Sequence, residues 1–445
     1  MSELVDYTLV RQLQEQVANL LTEQRQRRKR AGLLDLGGVD EEQLALSLID
    51  AVVKQHVQSQ LAAGVWADLP DPSYDQRLGD AVFASMYQAG ELQELLEDDL
   101  VEDIDINGAD EVWVSYADER GTVRGRPVAA NDDELIRLIQ NLAAYSGLNA
   151  RPFSVAHPTL DLRLHDGSRL SAIMTAGERP AASIRRNRFP QMFLPTLVEL
   201  GTVSEQLAEF LQAAIGARLN VMVAGGTGAG KTTLLRALIN CVPPNERLVT
   251  IERALELGLR RHPELHPNTV EWENVLPDTE GNGGITLDEL VQRSRRQNPG
   301  RVILGEILGP EVVTTLNGMS QGNDGSISTL HAKSAHDVFN KLSIYGAQYQ
   351  GLSIATMHHL IGASVDLVVF IRKNRRLGGQ RTVTEVLEVT GMGETGVASN
   401  KLFVPSAVDG RAVRDSAVSI SRFEDFAEFG YDDTAWACDD WSLQG

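Results

Sequence analysis

Cysteine is scarce in this chain: Cys241 and Cys438 are the only two thiols among 445 residues. They cannot build the cross-linked framework of a small secreted domain, so a reducing compartment is expected. Long apolar runs are missing as well. The longest towards the C-terminal end, residues 367–371, has the length of a buried strand, against the ~20 residues that cross a bilayer. The N-terminal stretch lacks a signal-peptide apolar region, so a cytoplasmic protein is expected. Positive charge is in deficit: 41 Lys and Arg face 61 Asp and Glu, a net charge of −20. That balance argues against wholesale wrapping of nucleic acid, though it leaves room for local basic patches. What remains, 42% hydrophobic and 23% charged residues, is the composition of a globular protein, and the length calls for two or three domains.

The most informative stretch is Asn220 onward, NVMVAGGTGAGKTTLL. Val221, Met222 and Val223 read as a short buried strand, and Thr233, Leu234 and Leu235 open a helix. Between them the spacing Gly225-x4-Gly230-Lys231-Thr232 is that of a nucleotide-binding P-loop. Its glycines let backbone N–H groups converge on phosphate oxygens, and the helix N-terminus adds a favourable dipole. Lys231 is placed to neutralise the β- and γ-phosphates and the Thr232 hydroxyl to ligate magnesium. The candidate nucleotide contacts are Gly226, Thr227, Gly228, Ala229, Gly230, Lys231, Thr232 and Thr233.

Residues 1–75 read as an N-terminal all-α module. A first helix ends near Arg30 in the basic run Arg25-Gln26-Arg27-Arg28-Lys29-Arg30, and a second spans residues 41–62. The run is either a solvated helix end or a contact for anionic lipid headgroups or a membrane protein. Residues 76–188 read as a smaller α+β domain, opened by a helix over 75–96. Strands are expected over 101–107, 111–115, 160–164, 169–174 and 182–186, with a helix over 133–145. Arg163, Arg169, Arg185 and Arg186 cluster near strand ends, either as solvated charges or as a set that reaches ATP. Phe189-Pro190 and Leu194-Pro195 mark the next boundary, and residues 189–403 form an α/β P-loop domain. Its strands are expected over 248–252, 301–305, 326–330, 365–371 and 382–389. Several end in polar groups, which an open α/β sheet presents on its ligand side. Residues 404–445 form a tail in which acids alternate with Phe423, Phe426, Phe429, Tyr431, Trp436 and Trp441. That tail either stays disordered until it meets a partner or packs its aromatics back on the P-loop domain.

Hydrolysis of a γ-phosphate needs magnesium, an acid that orients water, and positive charge. Glu252 and Glu306, each following an apolar strand, are the candidate carboxylates, and His331 is placed to bond a γ-phosphate. His262 and His266 have a zinc-like spacing, but without a cysteine or further histidine nearby they read as ordinary loop residues.

The order P-loop, Ile251-Glu252, Gly305-Glu306 and Ser328-Thr329-Leu330-His331-Ala332 resembles the secretion ATPase superfamily that powers type II and IV secretion and type IV pili. Ile106-Asn107-Gly108, Val112-Trp113-Val114, Arg163-Leu164-His165-Asp166-Gly167-Ser168-Arg169 and Leu200-Gly201-Thr202 resemble its CpaF/TadA-type branch, which assembles tight-adherence (Flp) pili. The resemblance implies a RecA-like ATPase domain preceded by a PAS-like domain. It implies Lys231 and Thr232 on phosphate and Mg2+, Glu252 polarising the attacking water, Glu306 on the metal side, and His331 as γ-phosphate sensor. It also implies Arg163, Arg169 and Arg185 as nucleotide contacts from the preceding domain. A homo-hexamer at the inner face of the cell membrane follows, peripherally associated and working on a polytopic inner-membrane platform protein, with no stable nucleic acid. Three positions depart from the family pattern: Arg253 where Asp is usual, Leu308 where Gly-Glu-x-Arg-Gly has its arginine, and Asn323 where a His precedes Asp-Gly. The retained residues imply hydrolysis, slow or partner-dependent. A nucleotide-dependent scaffold and a DNA-processing ATPase, the latter using the basic clusters near Arg293 and Arg372, are the competing readings.

Overall fold

The computed structural model describes residues 6–30, 38–64, 73–87, 89–145, 153–164, 166–174, 177–188, 191–275, 277 and 283–435. The chain divides into two units, Met1–Arg188 and Phe189–Gly445.

The first unit opens with α1 (Tyr7–Arg30), α2 (Gly38–Ala62) and α3 (Tyr74–Tyr87). Val10, Leu13, Val17 and Leu21 lie along one stripe of α1, and they pack on Ile49 and Val53 of α2 and on Leu78 and Val82 of α3. The single helix expected over 75–96 is two. The backbone turns at Gly90, where φ is +55°, and resumes as α4 (Gln93–Glu97). A residue with a Cβ rarely adopts that angle, so glycine suits the break between the two helices.

Then follow β1 (Val101–Ile106), β2 (Val112–Tyr116), β3 (Thr122–Arg124), α5 (Asp132–Tyr145), β4 (Thr159–Arg163), β5 (Arg169–Ile173) and β6 (Ala181–Arg185). They form one six-stranded sheet in the order β3-β2-β1-β6-β5-β4, antiparallel throughout. Strand alternation sends Ile104, Val114, Leu170 and Ile184 to one face, where Leu135 and Ile139 of α5 meet them. The opposite face is polar. There the register pairs Arg163 with Arg169, Arg169 with Arg185 and Arg185 with Asp103, so the three candidate arginines share one row. Arg186, next along the chain, is buried against Asp166 at 2.7 Å. The sequence reading missed β3 because all three of its residues are exposed, and no apolar alternation announces it.

The second unit begins with α6 (Leu194–Glu199) and α7 (Glu205–Gly216). The first follows the expected boundary directly, and Pro195 stands in its opening turn, where proline forfeits no hydrogen bond. The remaining elements are β7 (Val221–Gly225), α8 (Lys231–Ile239), β8 (Leu248–Glu252), β9 (Thr269–Glu273), α9 (Leu287–Ser294), β10 (Arg301–Leu304), α10 (Val312–Ser320), β11 (Ile327–His331), α11 (Asp337–Gln350), α12 (Ile354–Ser364), β12 (Leu367–Asn374), β13 (Gln380–Met392), β14 (Val397–Pro405), β15 (Ala412–Arg414) and α13 (Phe423–Glu428). The nine-stranded sheet runs β15-β14-β13-β12-β7-β11-β10-β8-β9. From β12 to β9 its pairs are parallel, and from β12 to β15 antiparallel. This is a RecA-like α/β core, buried on both faces by two apolar clusters. The chain leaves β7 for β8, three strands away, so a crevice opens at the C-terminal end of β7.

Of the two readings of the tail, packing back is what residues 404–435 do. Phe426 stacks on Phe210 of α7 with ring centroids 4.6 Å apart, and Tyr431 meets the same ring edge-on at 5.4 Å. Trp436, Cys438 and Trp441 lie outside the described residues. Phe426→Ala is expected to destabilise the protein by about 3–5 kcal/mol, seen as a lowered melting temperature. Val408→Ala, at an 89% exposed position, should shift stability by no more than about 0.5 kcal/mol.

Candidate functional site

The phosphate loop connects β7 to α8, and two of its glycines are dictated by geometry. A Cβ on Gly225 would fall 2.2 Å from the Ile371 carbonyl oxygen of β12. Gly230, the residue preceding α8, has φ +97°. Lys231 is buried. Its ammonium donates to the Gly226 carbonyl at 3.1 Å and to His331 Nδ1 at 3.1 Å. An ammonium has no lone pair, so Nδ1 accepts, and the neutral ring carries its proton on Nε2. That nitrogen lies 2.9 Å from Glu306 Oε1. Burial, foremost, holds the His331 pKa below its ordinary value, with Lys231 and Lys341 adding to the depression against the pull of Glu306. Gly226, Lys231 and His331 are thereby joined by hydrogen bonds, and Glu306 lies beside the imidazole as a neighbouring carboxylate whose Oε1 accepts no hydrogen bond from the protein.

Glu252, at the end of β8, is 4% exposed. Its Oε2 accepts the backbone N–H groups of Glu256 and Leu257 at 2.8 and 3.1 Å. Oε1 is buried and accepts no hydrogen bond from the protein. Loss of solvent pushes its pKa from 4.5 up to about 8, with Glu256 and Glu271 adding repulsion and the two backbone N–H groups opposing it. Gly305 makes room for this acid, since a Cβ there would lie 2.9 Å from Glu252 Cγ.

The structure thus brings together Lys231, His331 and Glu306, while Glu252 stands at the same, C-terminal edge of the sheet. Gly226, Thr227, Gly228, Ala229 and Gly230 form the loop, and Thr232 and Thr233 the first turn of α8. Arg163, Arg169 and Arg185 are in the first unit. Sequence reasoning missed Glu256, whose Oε2 accepts the Thr232 hydroxyl at 3.3 Å. It also missed Lys341, which donates to the His331 carbonyl at 2.7 Å. Both lie in segments without a motif, and only the fold brings them near the loop. Of the three departures, Arg253 is exposed, whereas Leu308 and Asn323 are half-buried. His266 is a buried structural residue, its Nε2 2.9 Å from Asn240 Oδ1, and His262 faces Gln191 and Glu264; they do not share a ligand site.

Among the described residues no cluster of three or more His, Cys, Asp or Glu could hold a metal on its own. The hydroxyl of Thr232 and the carboxylate of Glu306 are oxygen donors of the type magnesium takes alongside phosphate oxygens and water. The donor set fits that ion as a companion of a nucleotide rather than as a resident.

The family profile described as type II/IV secretion system protein matches residues 86–390. A Mycobacterium tuberculosis protein named for conjugal transfer is 33% identical over 306 residues, covering 67% of this chain and 83% of its own. Protein VirB11 of Agrobacterium fabrum is 37% identical over 169 residues, 37% of this chain and 47% of its own. Among solved structures, the VirB11 ATPase of the Brucella suis type IV secretion system in complex with sulphate is 26% identical and covers 69% of this chain and 96% of that one, with a TM-score of 0.36.

The raised Glu252 pKa fixes the sign of a pH dependence. In the unfolded chain this carboxyl ionises near 4.5, whereas in the folded chain it holds its proton to about 8. Its contribution to stability is fully present below the lower value and is lost as pH rises through the higher one. Glu252→Gln should flatten the fall in melting temperature across that window and stabilise the nucleotide-free protein at pH 8. An unchanged pH profile would show that the group titrates normally.

Proposed function

The chain belongs to the type II/IV secretion system protein family and is an ATPase, and we propose that it is the motor of a tight-adherence (Flp) type pilus assembly machine. The observation that supports this best is the meeting of Lys231 with His331, with the Glu306 carboxylate 2.9 Å from the same imidazole.

In this reading the loop amides and Lys231 hold the β- and γ-phosphates of ATP. His331 registers whether the γ-phosphate is present by donating a ring N–H to one of its oxygens. Glu252 offers its unengaged Oε1 to the attacking water and takes its proton as the water oxygen bonds to the γ-phosphorus and ADP leaves. A carboxylate with a pKa near the working pH suits that task. Magnesium, when bound through Thr232 and Glu306, supplies charge neutralisation on the phosphates. The arginine row of Arg163, Arg169 and Arg185 provides further positive charge to the nucleotide, so that cleavage moves the first unit. Six copies in a ring at the inner membrane face would pass that motion to a polytopic platform protein.

A second reading, a nucleotide-dependent ring scaffold, is favoured by Leu308, which puts an apolar side chain where the family carries an arginine. Phosphate release from magnesium-ATP separates the two. The motor reading expects turnover that Lys231→Ala reduces by about a hundredfold or more and Arg169→Ala reduces with ADP affinity largely kept. No release in the presence of lipid and the platform protein would leave the scaffold.

A further inference from the structure

The β12–β13 hairpin lies against the phosphate loop on the side away from His331, and it carries two cations towards it. Lys373 and Arg381 are directly paired across the two strands, so their side chains share one face. The Arg381 Nε donates to the Gly228 carbonyl at 3.1 Å. Its Cδ lies 3.3 Å from where a Cβ on Gly230 would sit, and the Lys373 Nζ lies 3.7 Å from the corresponding point on Gly228. The neighbouring cations of the hairpin go elsewhere. Arg376 donates to the Ala407 carbonyl at 2.9 Å, and Arg372 reaches the Gly410 turn. Successive strand residues point to opposite sides, which separates Arg372 from Lys373.

The Arg381 hydrogen bond has a directional effect. In a planar trans peptide C=O and N–H point in opposite directions, so holding the Gly228 carbonyl outward aims the Ala229 N–H into the loop, where it now donates to the Gly226 carbonyl at 3.3 Å. The Lys373 ammonium is exposed, and among the described residues no carboxylate pairs with it. In a chain of net charge −20, it is a positive charge placed beside a loop built for anions.

We propose that this hairpin is a second cationic wall of the nucleotide site. Lys373 binds the phosphate chain of a nucleoside di- or triphosphate at the loop apex, and Arg381 is a positioning residue that sets the loop amides through Gly228. Lys231 grips from the buried side, next to His331, and Lys373 closes from the open one. This rests on the nucleotide reading of the loop. Because the apex is remote from His331, the contact serves ADP and ATP alike.

The test titrates the full chain with ADP and with ATP in the presence of magnesium, alongside steady-state phosphate release. Lys373→Gln should weaken binding of both nucleotides by about tenfold, lower the salt dependence of Kd, and raise KM more than it lowers kcat. Lys373→Arg should restore affinity, and Arg372→Gln should leave it unaltered. Arg381→Ala should weaken binding with the melting temperature of the free protein retained, and Arg381→Gln, which keeps a side-chain N–H, should recover part of it. Wild-type affinity in Lys373→Gln, or an equal loss in Arg372→Gln, overturns the proposal while Lys231→Ala still shows the loop to be the site. Failure of the wild-type chain to bind either nucleotide would overturn the nucleotide reading itself, and this inference with it.

Discussion

The second unit is organised around one ammonium group that cannot be left alone. Lys231 is buried, and burying an unpaired charge is costly. Its partners are a carbonyl from its own loop and an imidazole from β11, a hundred residues away. The parallel pairing of β7 with β11 sets Gly225 opposite His331, which fixes the distance between loop and ring. The loop's shape therefore depends on the register of a sheet whose members are far apart in the chain.

The two carboxylates at this edge of the sheet are placed in opposite surroundings. Glu306 is partly exposed, with its Oε1 2.9 Å from the imidazole Nε2. Glu252 is shut from solvent with one oxygen committed to backbone N–H groups and the other unengaged. The difference in solvent access, rather than in residue type, is what raises the pKa of Glu252.

Much of this was legible in the sequence because the relevant chemistry is local. A strand, a glycine loop and a helix start follow one another within sixteen residues, and the acids and histidine each end an apolar run. The arginine row could be guessed as a cluster but not as a row, since its alignment comes from strand register. Partners that arrive from remote segments were not legible. Glu256 lies just past a recognised motif, yet its contact with Thr232 depends on the turn after β8. Arg381 reaches Gly228 across 153 positions. Helix α6 was not legible, because a proline that opens a helix and one that interrupts it look alike in sequence. For the tail, sequence left two readings open, and only the fold could choose between them, since it is Phe210 that receives Phe426 and Tyr431.

The position of β7 between β11 and β12 has a consequence for how the protein is made. A ribosome delivers the glycine loop long before either neighbouring strand, so during synthesis the motif exists without the walls that shape it. Pairing with residues 327–331 and then 367–371 must come first, and such distant pairings form slowly. The loop therefore takes its final shape only after β11 and β12 have both been delivered.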